Sequence, residues 1–167
     1  MNFVLPTLLV VLGVVFRVAP HPANFAPIGA IALFAGASFR DRRAAIVVPL
    51  VAMFIGDLFI GLHSLMPLIY ATYALIVVLG MLLREHRNSP LRIAGGAVAG
   101  STIFFAVTNF AVWLDMYPRT LAGFTACFVN AIPFFDRTLM SDLLFSGIFF
   151  GAYALAGRVH AHRLPSA

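Results

Sequence analysis

Six apolar runs alternate with short polar breaks along the chain, at about residues 2–18, 28–39, 44–62, 65–83, 91–114 and 138–156. Runs of this length and hydropathy predict membrane-crossing helices at about 1.5 Å per residue, so the expected architecture is an all-α membrane bundle of six transmembrane helices. The second run is short, with Gly29, Ala32 and Gly36 spaced for close helix contact. The third carries Pro49, where a kink is expected. Residues 115–137 contain Pro118, Pro133 and four charges, and are predicted to be an outer loop. Their apolar part, 121–135, is suited to dip into the membrane or lie along it.

The break between the first two runs, Arg17-Val-Ala-Pro-His-Pro-Ala-Asn-Phe-Ala-Pro27, is the most constrained stretch. Each proline fixes its own φ and pushes Ala19, His21 and Ala26 toward extended backbone. A stiff loop of this kind can hold a polar side chain in one place.

Composition agrees with the pattern, since 62% of the 167 residues are hydrophobic and 10% charged. No soluble domain of this size can hide that much apolar surface. The net charge of +5 does not point to nucleic acid, because every Lys/Arg position is an arginine and these sit in clusters between apolar runs. They read as topology signals. Arg40, Arg42, Arg43, Arg84, Arg87, Arg92, Arg158 and Arg163 fall on the side of the termini, and Arg17, Arg119 and Arg137 on the other, which predicts both termini in the cytoplasm. The N-terminus has no positive n-region and Ala19-Pro20-His21-Pro22 is a poor cleavage context, so the first helix is expected to be retained. The single cysteine, Cys127, forms no internal disulfide.

With that topology the non-arginine polar groups gather toward the outer side. Asp57 lies about 20 Å up helix 3, Asn109 within about two turns of the outer end of helix 5, and Asp142 about one turn below the outer end of helix 6. His21 and Asn24 belong to the outer loop, and Trp113 to the outer interface. An aspartate at mid-membrane costs about 2.5–3.5 kcal/mol on insertion scales, so such residues face a cavity or a partner. Two readings stay open. The six residues line an outward-facing pocket, or they are ties: Asp57 to Arg17 or Arg137, Asp142 to the dipole of its own helix, the amides and His21 to neighbouring backbone, and Trp113 to an aromatic belt. His21, Asp57, Cys127 and Asp142 match no metal-ligand spacing, and no nucleophile motif occurs, so neither cofactor nor enzymatic activity is expected.

Several of these residues also carry a resemblance. Arg17-x-x-Pro-His-x-x-Asn-Phe-x-Pro27, Ala32-Leu-Phe34, Pro49-Leu-x-x-Met53 with Asp57, Thr108-Asn-Phe-x-Val-Trp113, and Cys127-x-x-x-Ala-Ile-Pro-Phe-Phe135 with Asp142 resemble an uncharacterised family of small bacterial inner-membrane proteins regarded as transport proteins. That family is distantly similar to the substrate-capture (S) components of energy-coupling-factor (ECF) vitamin transporters. The resemblance implies an S-component-like bundle in the bacterial inner membrane that captures a small micronutrient at its outer face. His21 and Asn24 would lie in a lid, and Asp57, Asn109, Trp113 and Asp142 in the wall. It also implies an energising partner module. However, helix 1 has Gly13 as its only small residue between Leu8 and Val15, where S components sharing a common module carry an alanine-spaced contact face. The alternatives from other classes are a structural or assembly protein of the membrane and a membrane-embedded metal-dependent enzyme.

Overall fold

A computed structural model describes residues 4–162; Asn2, Phe3 and the tail from Arg163 lie outside the described residues, as do the side chains of His160 and His162. The described residues form six α-helices: α1 (Val4–Val18), α2 (Ile28–Ser38), α3 (Arg42–Ile60), α4 (Met66–Leu82), α5 (Pro90–Met116) and α6 (Leu121–His162), with a 3-10 turn at Arg84–His86. Of these, α3, α5 and α6 through Arg158 are long and apolar enough to cross a membrane. On α3 the exposed residues Val47, Val51, Phe54 and Leu58 form one apolar face at helical spacing. A continuous face of this kind suits hydrocarbon rather than water.

The outer loop expected at 115–137 is not a loop. Only Tyr117–Thr120 separate α5 from α6, and residues 121–137 are the first five turns of a 42-residue helix, about 63 Å long. Thr120 caps it, its Oγ1 accepting the Gly123 N–H at 3.1 Å, and a Cβ at Gly123 would overlap the Pro118 carbonyl. Phe105 meets Phe128 and Phe135, and Trp113 meets Phe124 edge-on, so an aromatic seam zips this half of α6 onto α5. The seam outweighs the hydrogen bond that Pro133 removes inside the helix.

The centre of the molecule is α2. Residues 28–37 are all buried, and the helix packs on α3, α4, α5 and α6. At 11 residues it is about 16 Å long, half the roughly 30 Å of a hydrocarbon core. It is therefore too short to be the full span expected of the second apolar run, and it begins inside the bundle. Its crossing with α4 is close because Gly36 faces Gly80. A Cβ at Gly36 would come 3.0 Å from Gly80 Cα, and one at Gly80 would overlap the Leu33 carbonyl. Gly80→Val is expected to force the two backbones apart and cost about 1–3 kcal/mol, read as a lower Tm in detergent. Gly95→Val, whose Cβ meets nothing within 4 Å, should leave Tm nearly unchanged.

Arg84 closes the other end of α2, donating from Nε to the Gly36 carbonyl and from Nη2 to the Phe39 carbonyl, each at 2.9 Å. A cation there meets the negative end of the helix dipole. Beside this core α1 runs parallel to α3, with Gly13 against Ala52 and Arg17 against Gly56.

Candidate functional site

The buried start of α2 creates the first problem the fold must solve. The amides of a helix N-terminus need acceptors, and the residue before the helix, Pro27, has no side chain that can cap. The acceptor comes from α6. Asp142, 3% exposed, takes the Ala30 N–H, and Ser101 Oγ of α5 donates to its Oδ2 at 2.7 Å. Its neighbour Ser141 donates to the Ala26 carbonyl at 2.9 Å, so one turn of α6 clasps both the end of the 19–27 connection and the helix that follows. Gly29 makes room, since a Cβ there would lie 2.6 Å from Asp142 Oδ2 and 2.7 Å from its Cγ. Asp142 thus stands 21 residues into α6, about 31 Å from its start, rather than one turn from its end. The dipole it answers is that of α2, not of its own helix.

A second polar knot joins α1, α3 and α4. Arg17 Nη2 is ion-paired with Asp57 Oδ1, and Tyr70 Oη donates to Asp57 Oδ2 at 2.6 Å. Asp57 is fully buried and Arg17 partly so. Gly56 lets the arginine pass, because a Cβ there would lie 2.7 Å from Arg17 Cδ and Nε. Both carboxylate oxygens are engaged, as a buried charge requires. One donor is left over: Arg17 Nε is buried and has no hydrogen-bond partner.

Between the two knots, beyond the first turn of α2, lies a cavity of about 300 Å³. Arg17, His21, Asn24, His63, Tyr73 and Asp142 line its polar side, and Ile28, Met53, Ile69 and Phe104 its apolar side. A second cavity of about 250 Å³ shares Asn24, Phe104 and Thr138 with it and continues to Thr108 and Asn109. The two are adjoining chambers with Asn24 at their junction. Asn24 has φ +63°, a left-handed conformation that asparagine tolerates better than most residues.

The structure separates the six residues singled out by sequence. His21, Asn24 and Asp142 line the first chamber, and Asn24 and Asn109 the second. His21 Nδ1 is 2.7 Å from the Ala19 carbonyl, which orients the ring, while Asn109 Nδ2 donates to the Phe105 carbonyl at 2.8 Å. Asp57 sits behind Arg17 and lines neither chamber. Trp113 lines neither as well; its Nε1 donates to the Pro118 carbonyl at 3.1 Å and it packs on Phe110 and Phe124, bracing the α5–α6 tip. Arg17, His63, Tyr73 and Thr138 are wall residues that sequence reasoning did not assign. Tyr70 and Tyr73 could have been found from depth, because α4 descends past the level of Asp57. Ser101 and Ser141 gave no signal, since serines are unremarkable in close-packed helices.

Among the described residues no three His, Cys, Asp or Glu side chains come together as a metal site. Cys127 is buried and directs its Sγ to the Asn109 carbonyl at 3.4 Å, a contact between α6 and α5. The arrangement is one of polar ties facing inward and polar edges facing a divided cavity, which is suited to holding a small molecule. No curated protein and no solved structure matches the sequence. A family described as a family of unknown function (DUF6580) matches residues 1–165, and the chain belongs to that family.

Proposed function

We propose that this chain is a membrane transport protein of the capture type, binding a small, vitamin-like micronutrient in the chamber beyond α2. The observation that carries the reading is a 300 Å³ cavity with Arg17 in its wall, a residue whose Nε is buried and has no partner within the protein. A buried N–H without an acceptor is costly, and a ligand oxygen supplies one. His21, Asn24 and Tyr73 add polar edges, and Met53, Ile69 and Phe104 an apolar face, the mixture typical of small-molecule sites.

Arginine distribution supports the orientation: the chamber opens away from the arginine-rich end, with both termini cytoplasmic and the ligand taken from outside. On α6, exposed Asp136 and Arg137 divide an apolar first part from 138–157; in this reading the latter is the bilayer segment and the α5–α6 tip projects about 25 Å beyond it on the outer side. Half-helices that start at mid-membrane and point their N-termini at a site recur in transporters, and α2 has that form. Energy for uptake would come from a partner module or an ion gradient.

The test is purification in mild detergent followed by mass spectrometry of the small molecule that is retained, then its affinity for variants. His21→Ala and Asn109→Ala should each weaken binding roughly three- to tenfold, the loss of one hydrogen bond, while expression and Tm stay near those of the parent. Unchanged affinity in both removes the chamber assignment. A second reading is favoured by Asp57 and Asp142, whose partners are supplied by the protein itself: an assembly protein whose polar set only locks helices. It prevails if no small molecule is retained or raises Tm and Asn109→Ala strongly lowers it.

A further inference from the structure

We propose that a groove at the arginine-rich end, between the start of α5 and the last third of α6, binds an anionic phospholipid, phosphate at its mouth and acyl chain along its floor. The groove has a volume of about 320 Å³ and is separate from the chambers beyond α2. Arg87 and Arg158 stand at its mouth with Asn88 beside them, and no acidic residue lines it. Among the described residues neither arginine forms an ion pair, and Arg87 lies over the Tyr153 ring, 5.4 Å from its centroid. Stacking holds that guanidinium in place while its donors stay available. The first turn of α5 begins at Pro90 and has no side-chain cap, so the positive end of its dipole adds to the same field.

The floor supplies an independent observation. Ser146, 1% exposed, is among the residues lining the groove, and its buried Oγ has no hydrogen-bond partner. It lies seven residues, about 10 Å, along α6 from Tyr153. An occupant with an acceptor at that depth satisfies it, and the ester carbonyl that follows the phosphate of a glycerolipid is such a group. The walls are apolar at Ile93, Leu143 and Phe150, and a Cβ at Gly147 or Gly151 would meet nothing within 4 Å, so the trough is open along that face of α6. A soluble phosphate would answer the arginines but leave the hydroxyl and the hydrocarbon trough unfilled. A phospholipid with a net negative headgroup answers all three, and it is available from the bilayer without diffusing through water.

The experiment uses the full chain in detergent, supplemented with phosphatidylglycerol or phosphatidylcholine, with retained lipid counted by native mass spectrometry. The parent is expected to keep phosphatidylglycerol in preference to phosphatidylcholine. Each of Arg87→Gln and Arg158→Gln should lower that retention roughly fivefold. Arg119→Gln, at the opposite end, should not. Gly147→Leu, at a position where a Cβ meets nothing within 4 Å, puts an isobutyl group into the trough and should abolish retention while preserving Tm, which keeps the test decisive if an arginine variant folds poorly. Equal retention of the two lipids, retention unaffected by Gly147→Leu, or displacement of the lipid by millimolar inorganic phosphate would overturn the proposal.

Discussion

Asp57→Ala is expected to be among the most destabilising single changes in this protein, lowering unfolding stability by about 3–5 kcal/mol. The reason is what it leaves behind. Arg17 would keep a positive charge in a site where its carboxylate partner is fully buried, and Tyr70 would lose the acceptor held at 2.6 Å. Removing the arginine as well should recover much of the loss, because Arg17→Met/Asp57→Ala leaves no unpaired charge. Equilibrium unfolding in mixed detergent and denaturant measures the cycle, and a double variant no more stable than Asp57→Ala would show that the pair is not what couples α1 to α3. Arg17→Met alone is the more informative single change for function. It removes a chamber-wall residue together with its unpartnered Nε, so ligand retention should fall further than for any variant of equal stability that lies outside the chamber.

The next largest effect is expected at the cap of α2. Asp142→Ala strips the acceptor from the buried Ala30 N–H, an orphaned group that costs about 1–3 kcal/mol, and leaves Ser101 Oγ with only the Ala97 carbonyl at 3.0 Å. The total loss is then about 1–3 kcal/mol. Asp142→Asn keeps one acceptor oxygen and should lose clearly less. Gly29→Ala attacks the same contact from the other side, since its Cβ would sit on the carboxylate. The double variant Gly29→Ala/Asp142→Ala should therefore cost less than the sum of the singles. Strict additivity would mean that the carboxylate and the first turn of α2 do not meet.

These two knots show what was legible in advance. The pairing of Asp57 with Arg17 was one of two partners open from depth alone, and the structure selects it because Gly56 clears the path across α3. For Asp142 the sequence carried the right idea attached to the wrong helix. An acid near a helix start is a sound expectation, yet the start it serves belongs to α2, more than a hundred residues away in the chain. Trp113 was expected in the wall on the strength of its level, but level does not determine azimuth, and its ring turns toward the α5–α6 tip. The stretch 115–137 misled for a local reason. Pro133 and four charges argue against helix one residue at a time, whereas Thr120 as a cap and phenylalanines at 124, 128 and 135 argue for it only once α5 is present to pack against.

By itself the sequence determined the composition of the helices, the arginine asymmetry, the stiffness of the 19–27 connection and most of the helix boundaries. These are properties of hydropathy, charge and backbone restriction, which act over a few residues at a time. Only the tertiary structure decided that α2 is a buried half-length helix, that its start is capped from α6, and that polar residues of four helices and two connections line two adjoining chambers. Caps, close glycine crossings and cavities are contacts between residues far apart in the chain. Their energies depend on distances of a few ångströms that no local pattern encodes.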